Sequence, residues 1–144
     1  GVLLPPHHRL LTERTVAARE LAQEAFVHFP REAAPSLFDQ IGEVFRTGGF
    51  TPRVVQEARD WMTEISLVEA GLGIAIVPSS FQRLRWGKVS YRPLTPPMPQ
   101  ATVALCYLRD RAPATAMAFI EIARDVLFDR TTGATIEMER AHDA

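Results

Sequence analysis

The sequence predicts an α/β domain built on mostly parallel sheets flanked by helices, and three observations predict it. Residues 65–80, Ile-Ser-Leu-Val-Glu-Ala-Gly-Leu-Gly-Ile-Ala-Ile-Val-Pro-Ser-Ser, read as a helix end, a two-glycine turn, a short strand without a polar face, and a proline stop. Residues 36–47 carry Leu37, Ile41, Val44 and Phe45 on one stripe, with Asp39, Gln40 and Glu43 away from it, which is an amphipathic helix. These two stretches sit in a series of strand, helix, strand, helix, strand between residues 25 and 77, the order of a parallel wind.

Composition bounds the answer. A chain of 144 residues can bury one ordinary core or two small lobes. With 47% hydrophobic and 23% charged residues, its balance is that of a soluble globular protein. A formal net charge of -1 offers no broad basic field to nucleic acid. Cys106 is the single cysteine, so no internal disulfide forms; its apolar neighbours mark a buried structural thiol in a reducing compartment. The opening Gly-Val-Leu-Leu-Pro-Pro is too short and lacks the basic region of a signal peptide, and no 18-residue apolar run exists to span a membrane. A cytoplasmic location is expected. With no initiator Met and an immediate entry into a strand, the chain is expected to begin mid-protein.

In chain order, residues 2–4 are a strand stopped by Pro5 and Pro6, followed by the loop His7-His8-Arg9-Leu10. Adjacent histidines splay their rings, and no Cys or carboxylate lies nearby in sequence, so a solvated loop is expected rather than a metal site. Residues 15–24 hold helix formers around Ala17 and Leu21 and are expected to be a short helix. Residues 25–29 are a strand, and residues 30–35 a loop with two prolines. Ser36 and Asp39 resemble a capping box for the helix that Gly48 and Gly49 end. A strand over 53–58 leads to a helix with Asp60 as N-cap, Trp61, Ile65 and Val68 on one face, and Gly71 as a left-handed cap. Residues 81–88 form a polar-aromatic connector anchored by Trp86, residues 89–94 a strand, and residues 95–99 a loop stiffened by three prolines. A strand follows over 101–108, with Val103, Leu105 and Tyr107 alternating against Thr102, Ala104 and Cys106. Pro113 opens a last helix whose buried face is Ala116, Phe119, Ile120, Ala123 and Leu127. From Asp129 onward the pattern dissolves into a frayed tail.

Catalytic patterns are scarce. Gly71 and Gly73 follow a helix and open a strand, the reverse of a dinucleotide fingerprint. Ser79 and Ser80 have no nucleophile elbow around them. His28 reads as a partly buried strand histidine, and Asp60 with Glu64 as solvated acids one helical turn apart. No enzyme, metal or cofactor is expected. The informative places are the ends of the parallel strands, where ligands gather beside helix N-termini. These are residues 30–37, 58–62 and 78–80. Free N–H groups near Ser36 and at Trp61 and Met62 suit a carboxylate, and Arg31 could add a positive charge.

The segment Leu67-Val-Glu-Ala-Gly-Leu-Gly-Ile-Ala-Ile-Val-Pro-Ser79 resembles the hallmark of the effector-sensing domain of LysR-type transcriptional regulators. Phe26-Val-His-Phe-Pro30, Phe45-Arg-Thr-Gly-Gly-Phe-Thr-Pro52, Val54-Val-Gln-Glu-Ala58 and Val89-Ser-Tyr-Arg-Pro-Leu94 agree in order and spacing, over residues 1–125. The resemblance implies a two-lobed periplasmic-binding-protein-like (type II) sensor domain with its first lobe incomplete. It places residues 25–87 in the second lobe and residues 1–24 and 88–144 in the first. It implies a small anionic effector, an aromatic or dicarboxylic acid, held between the lobes. It also implies homodimers or homotetramers that meet promoter DNA and RNA polymerase only through the full-length protein, and no membrane. In members that sense aromatic-catabolism intermediates, two cleft positions lie in a Pro-x-Phe segment, here Pro35-Ser36-Leu37; a third is usually small and apolar, and here is Trp61. An indole there reshapes the pocket. The competing expectation is a solute-binding protein of a transporter with the same fold.

Overall fold

The structure, a computed structural model, describes residues 1–83, 87–96, 98, 107 and 112–130, with side chains up to residue 125. Packing divides the chain into two compact units, Gly1–Ala101 and Thr102–Ala144.

The first unit is organised on the strands β1 (Val2–Leu4), β3 (Ala25–His28), β4 (Arg53–Glu57), β5 (Ala75–Ile76) and β6 (Ser90–Arg92), with a short separate pair of β2 (Val16–Ala17) and β7 (Leu94–Thr95). β3 and β4 run parallel, and Phe26 bridges Ile74 in the same sense, so β5 enters parallel to β3. The Val27 N–H donates to the Ile74 carbonyl at 2.9 Å and the Ile74 N–H to Ala25 at 2.8 Å. On its other side β5 meets β1 antiparallel, and β1 meets β6 antiparallel. The strands therefore follow the order β4-β3-β5-β1-β6, a parallel wind extended by an antiparallel strand.

Alternation along these strands feeds two apolar layers. Val2, Leu4, Phe26, Ile74 and Ile76 join one core with Ile41, Val44 and Phe45 of helix α1 (Pro35–Gly48). Leu3, Val27, Ala75 and Val77 join the other with Ile65 and Val68 of helix α2 (Trp61–Glu69). The two helices thus cover opposite faces. This is why residues 74–77 show no polar side. β4, at the sheet edge, is exposed along its length and carries a register shift at Val54–Val55, a bulge that blunts the edge.

Several local expectations hold. β1, β3, β4, α1 and α2 form where expected, Asp60 caps α2, and Gly49 (φ 72°) and Gly71 (φ 81°) take left-handed backbone. Others are corrected. Residues 15–24 form β2 and a 3-10 turn at Ala18–Leu21, not a short helix. β-branched Val16 pairs with Leu94, and fixing it in a ladder leaves too few residues for an α-helix. Ser36 does not cap α1: Pro35 is its first residue and Ala34 its N-cap, because proline's fixed φ is preorganised for that position. Asp39 instead lies beside Arg31. The strand expected over 89–94 is interrupted at Pro93 between β6 and β7. The connector is a 3-10 turn at Ser79–Arg83, and Trp86 lies outside the described residues.

In the second unit the described element is helix α3 (Ala114–Arg130), entered through Pro113, whose carbonyl accepts the Ala116 N–H at 2.9 Å. Ala116, Ile120 and Ala123 are half-buried, but Phe119 is 60% exposed, so it does not belong to a buried face. Leu127's side chain, the strand expected over 101–108 apart from Tyr107, Cys106, and the tail after residue 130 lie outside the described residues.

Candidate functional site

The parallel sense of β3, β4 and β5 brings the three segments that follow them to one edge of the sheet. Each contributes an aromatic ring there. Phe29 follows β3, Trp61 begins α2 after β4, and Phe81 lies in the turn after β5. Trp61 sits between the other two, its ring centroid 4.5 Å from Phe29, edge to face, and 4.9 Å from Phe81. It is half-buried, while Phe29 and Phe81 are buried. The indole therefore has one side in the core and one side open. Arg59 reaches across to Glu32 at 2.9 Å and ties the β4–α2 segment to the β3–α1 loop.

The two helix N-termini at this edge differ in their electrostatics. At α2, the Asp60 carboxylate accepts the Thr63 N–H at 2.9 Å and the Thr63 hydroxyl at 2.7 Å. Those bonds hold Asp60 below the usual carboxylate range, so this N-terminus already carries its own anion. At α1 the N-cap is Ala34, which supplies no side-chain acceptor. The Phe38 N–H bonds to the Ala34 carbonyl at 2.9 Å, and the N–H groups of Ser36 and Leu37 ahead of it have no acceptor within the helix and lie at the positive end of its dipole.

The residues singled out from sequence occupy this edge on both faces. Pro35 and Ser36 are exposed in the first turn of α1, and Leu37 is half-buried against the core beneath it. Arg31 is exposed, its guanidinium 3.3 Å from Asp39. Met62 is 54% exposed beside Trp61. Phe29, Phe81 and the Arg59–Glu32 pair were not singled out. Alternation with Val27 signals that Phe29 is inward, but nothing local shows that Trp61 will meet it.

His28 and Glu64 complete the description. His28 is buried on the α1 side, stacked on Phe38 at 4.9 Å, and burial lowers its pKa. Glu64 corrects the expectation of a solvated acid: it is 0% exposed, and neither carboxylate oxygen has a hydrogen-bond partner among the described residues. Burial pushes its carboxyl up to about 8. The helical period explains the difference, since Glu64 shares the face of Trp61, Ile65 and Val68, whereas Asp60 lies outside the helix as its cap. At the other end of the molecule His8 accepts the Leu10 N–H at 3.3 Å and lies 3.3 Å from Glu24, which Arg9 also engages at 2.7 Å. That loop is tied to the segment before β3 through Glu24. Two surface recesses, of about 560 and 190 Å³, are lined by other residues, such as Arg14, Gln82 and Arg92 in the larger and Pro5, Gln23 and Leu72 in the smaller. No helix is long and apolar enough to cross a membrane among the described residues.

A wound α/β unit with its open edge at two helix N-termini is the architecture of a periplasmic-binding-protein-like (type II) effector domain, and solved structures agree. The effector-binding domain of BenM with its effector benzoate superposes with a TM-score of 0.59 at 28% identity, over 67% of this chain and 44% of that one. HinK, a LysR family transcriptional regulator from Pseudomonas aeruginosa, matches with a TM-score of 0.70 at 23% identity, over 88% of this chain and 44% of that one. Residues 1–128 match the family model for the LysR substrate binding domain, and the chain belongs to that family. The HTH-type transcriptional regulator AlsR of Bacillus subtilis is 31% identical over 120 residues, 83% of this chain and 40% of AlsR. An uncharacterized HTH-type transcriptional regulator of Escherichia coli, YnfL, is 37% identical over 92 residues, 64% of this chain and 31% of YnfL. The chain spans between 31% and 50% of the length of such relatives.

Proposed function

We propose that this chain is part of the sensor of a LysR-type transcriptional regulator, and that it takes an aromatic monocarboxylate at the edge formed by α1, α2 and the segment after β5. The observation that carries this reading is the asymmetry of the two helix N-termini. α1 has no side-chain cap and Arg31 nearby, whereas Asp60 already occupies α2. A ligand carboxylate is favoured at α1, a second one is repelled by Asp60, and the open side of Trp61 suits a flat apolar body. The dicarboxylic acids, equally compatible with the sequence, are therefore the less favoured class. Benzoate as the effector of BenM is consistent with this choice.

Residues 25–87 are proposed as the second lobe, with residues 1–24 and 88–144 contributing to the first and strands β1 and β6 joining the two through the ladder to β5. The ligand would close the lobes, and closure would alter how a homodimer or homotetramer of the longer protein engages promoter DNA and RNA polymerase. Such coupling requires the ligand to favour one lobe arrangement over the other. A transporter's solute-binding protein is disfavoured, because the curated relatives are HTH-type regulators.

The test is a thermal-shift series on a two-lobed sensor containing this chain, with aromatic monocarboxylates, dicarboxylates and neutral analogues. A ligand at a hundred times its Kd adds about 2.7 kcal/mol. The expected outcome is a selective shift with aromatic monocarboxylates that Trp61→Ala weakens or redirects. A larger shift with dicarboxylates would overturn the monocarboxylate choice, and no shift with any acid would overturn the anionic effector.

A further inference from the structure

A carboxyl group with no exposure and no hydrogen-bond partner is rare in a folded domain, because an ionised oxygen in such a place costs far more than folding can supply. Among the described residues Glu64 is such a group. It sits one turn after Trp61 on the inward face of α2, which also carries the core residues Ile65 and Val68. α2 is a short helix, nine residues long, capped by Asp60 at one end and held at the other by the Glu69 carboxylate, which accepts the Lys88 N–H at 3.2 Å. Its seat on the sheet is otherwise apolar.

We infer that Glu64 is a pH-sensitive latch that positions Trp61: uncharged, it lets α2 lie flat with the indole seated between Phe29 and Phe81, and on ionising it drives the helix outward and unseats the indole. The inference rests on the reading of this edge as the effector site only for its consequence, a sensor whose pocket is shaped differently in alkaline and in neutral surroundings. The latch itself is independent of any ligand.

Among the described residues the charged surroundings offer no compensation. At the N-cap of its helix stands the ionised Asp60, a like charge that cannot compensate an anion at Glu64. β1 contributes no titratable side chain, and the Gly1 nitrogen just before it donates to the Val77 carbonyl at 2.8 Å rather than to Glu64. β3 contributes His28, whose ring lies on the α1 side of the sheet with Phe38 and Phe45. β5 contributes no titratable side chain. From β6, Tyr91 packs against the same core with its hydroxyl's pKa raised by burial, and Arg83 and Lys88, in the segments before β6, are exposed.

The sign follows from proton linkage. The unfolded chain releases the Glu64 proton near 4.5, and the folded chain keeps it to about 8. Between those values the folded state holds the extra proton, so raising the pH favours opening and the contribution of Glu64 is lost progressively, levelling above about 8. His28, lowered from 6.5 by burial, acts in the opposite sense because it binds its proton less well when folded. It is common to every variant, so a difference between variants isolates Glu64.

The experiment measures stability and tryptophan emission from pH 5 to 9 without effector, on a two-lobed sensor containing this chain, in a Trp86→Phe background so that Trp61 is the one indole this chain contributes. Glu64→Gln and the apolar Glu64→Met are compared with Glu64. With Glu64 present, the folded-to-unfolded ratio is expected to fall more than about tenfold relative to both variants as the pH rises. Trp61 emission is expected to shift to the red over the same range in the Glu64 protein alone. Should Glu64→Gln fail to fold, Glu64→Met carries the comparison. Parallel pH profiles in all three proteins would overturn the latch. So would a fall in stability without any change in Trp61 emission, since Glu64 would then destabilise the core without moving the indole. Neither result bears on effector binding, which the thermal-shift series decides.

Discussion

At the scale of single residues, Asp60, Trp61 and Glu64 show how three positions on one short helix acquire unrelated roles. Asp60 is exposed and fully committed to the first turn of α2 through Thr63. Its depressed pKa stabilises the fold above about 3.8, the ordinary value, and that contribution is lost as the pH falls further through the folded-state value. Asp60→Ala is therefore expected to lower the melting temperature at neutral pH and to flatten its dependence on pH between 2 and 4, as followed by circular dichroism. By freeing the α2 N-terminus of its resident anion, the same change should raise affinity for dicarboxylates relative to monocarboxylates. Trp61 has a different role, half in the core and half open at the edge. Truncating it to Ala is expected to cost about 3 kcal/mol, the low end for a large aromatic, because only part of its surface is buried. Urea titration measures this directly.

At the scale of elements, the contrast between the helix starts is the most useful feature. α1 begins with Pro35 after an N-cap without a side-chain acceptor. Natural caps of the Ser or Asp type stabilise a helix by about 1 kcal/mol. Ala34→Asp is therefore expected to raise the stability of this chain by about that amount while weakening any anionic ligand at α1. Ala34→Ser should bring a similar stabilisation without the added charge. If affinity for an aromatic acid, measured by calorimetry, drops for Asp and holds for Ser, the ligand carboxylate lies at α1. An equal response of the two variants would place it elsewhere.

At the scale of the whole sheet, one junction joins the parallel wind to the antiparallel strands. Ile74 bonds to Ala25 and Val27, and just before it Gly73 leaves no room for a side chain, since a Cβ there would lie 2.5 Å from the Ala25 carbonyl oxygen. That oxygen belongs to the backbone and accepts the Ile74 N–H, so it cannot move aside without breaking the bond between β3 and β5. Gly73→Ala is expected to destabilise the chain by about 1 to 3 kcal/mol and to speed amide exchange at Val27 and Ile74 together. At Gly71, whose added Cβ would meet nothing, the cost would come from its positive φ instead.

Local signals alone determined the run of elements from Ala25 to Val77, because hydrophobic period, a capping Asp, left-handed glycines and proline stops all act within a few residues. They also determined the family, through motifs in register along most of the chain, and marked Arg31, Pro35, Ser36, Leu37, Trp61 and Met62 as candidates at strand ends. Tertiary structure decided what those signals could not reach. Val16 had to find Leu94 before residues 15–24 could be a strand rather than a helix, and β1 had to find β5 and β6 before the sheet became mixed. The partners of Trp61, from segments 32 residues before it and 20 after it in sequence, exist only once three strands lie parallel. Glu64 is the sharpest case: one helical turn separates it from Asp60, and only the position of the sheet decides that the first is buried while the second stands in water. Pairing and burial are set by residues distant in the chain, so no window of sequence contains them.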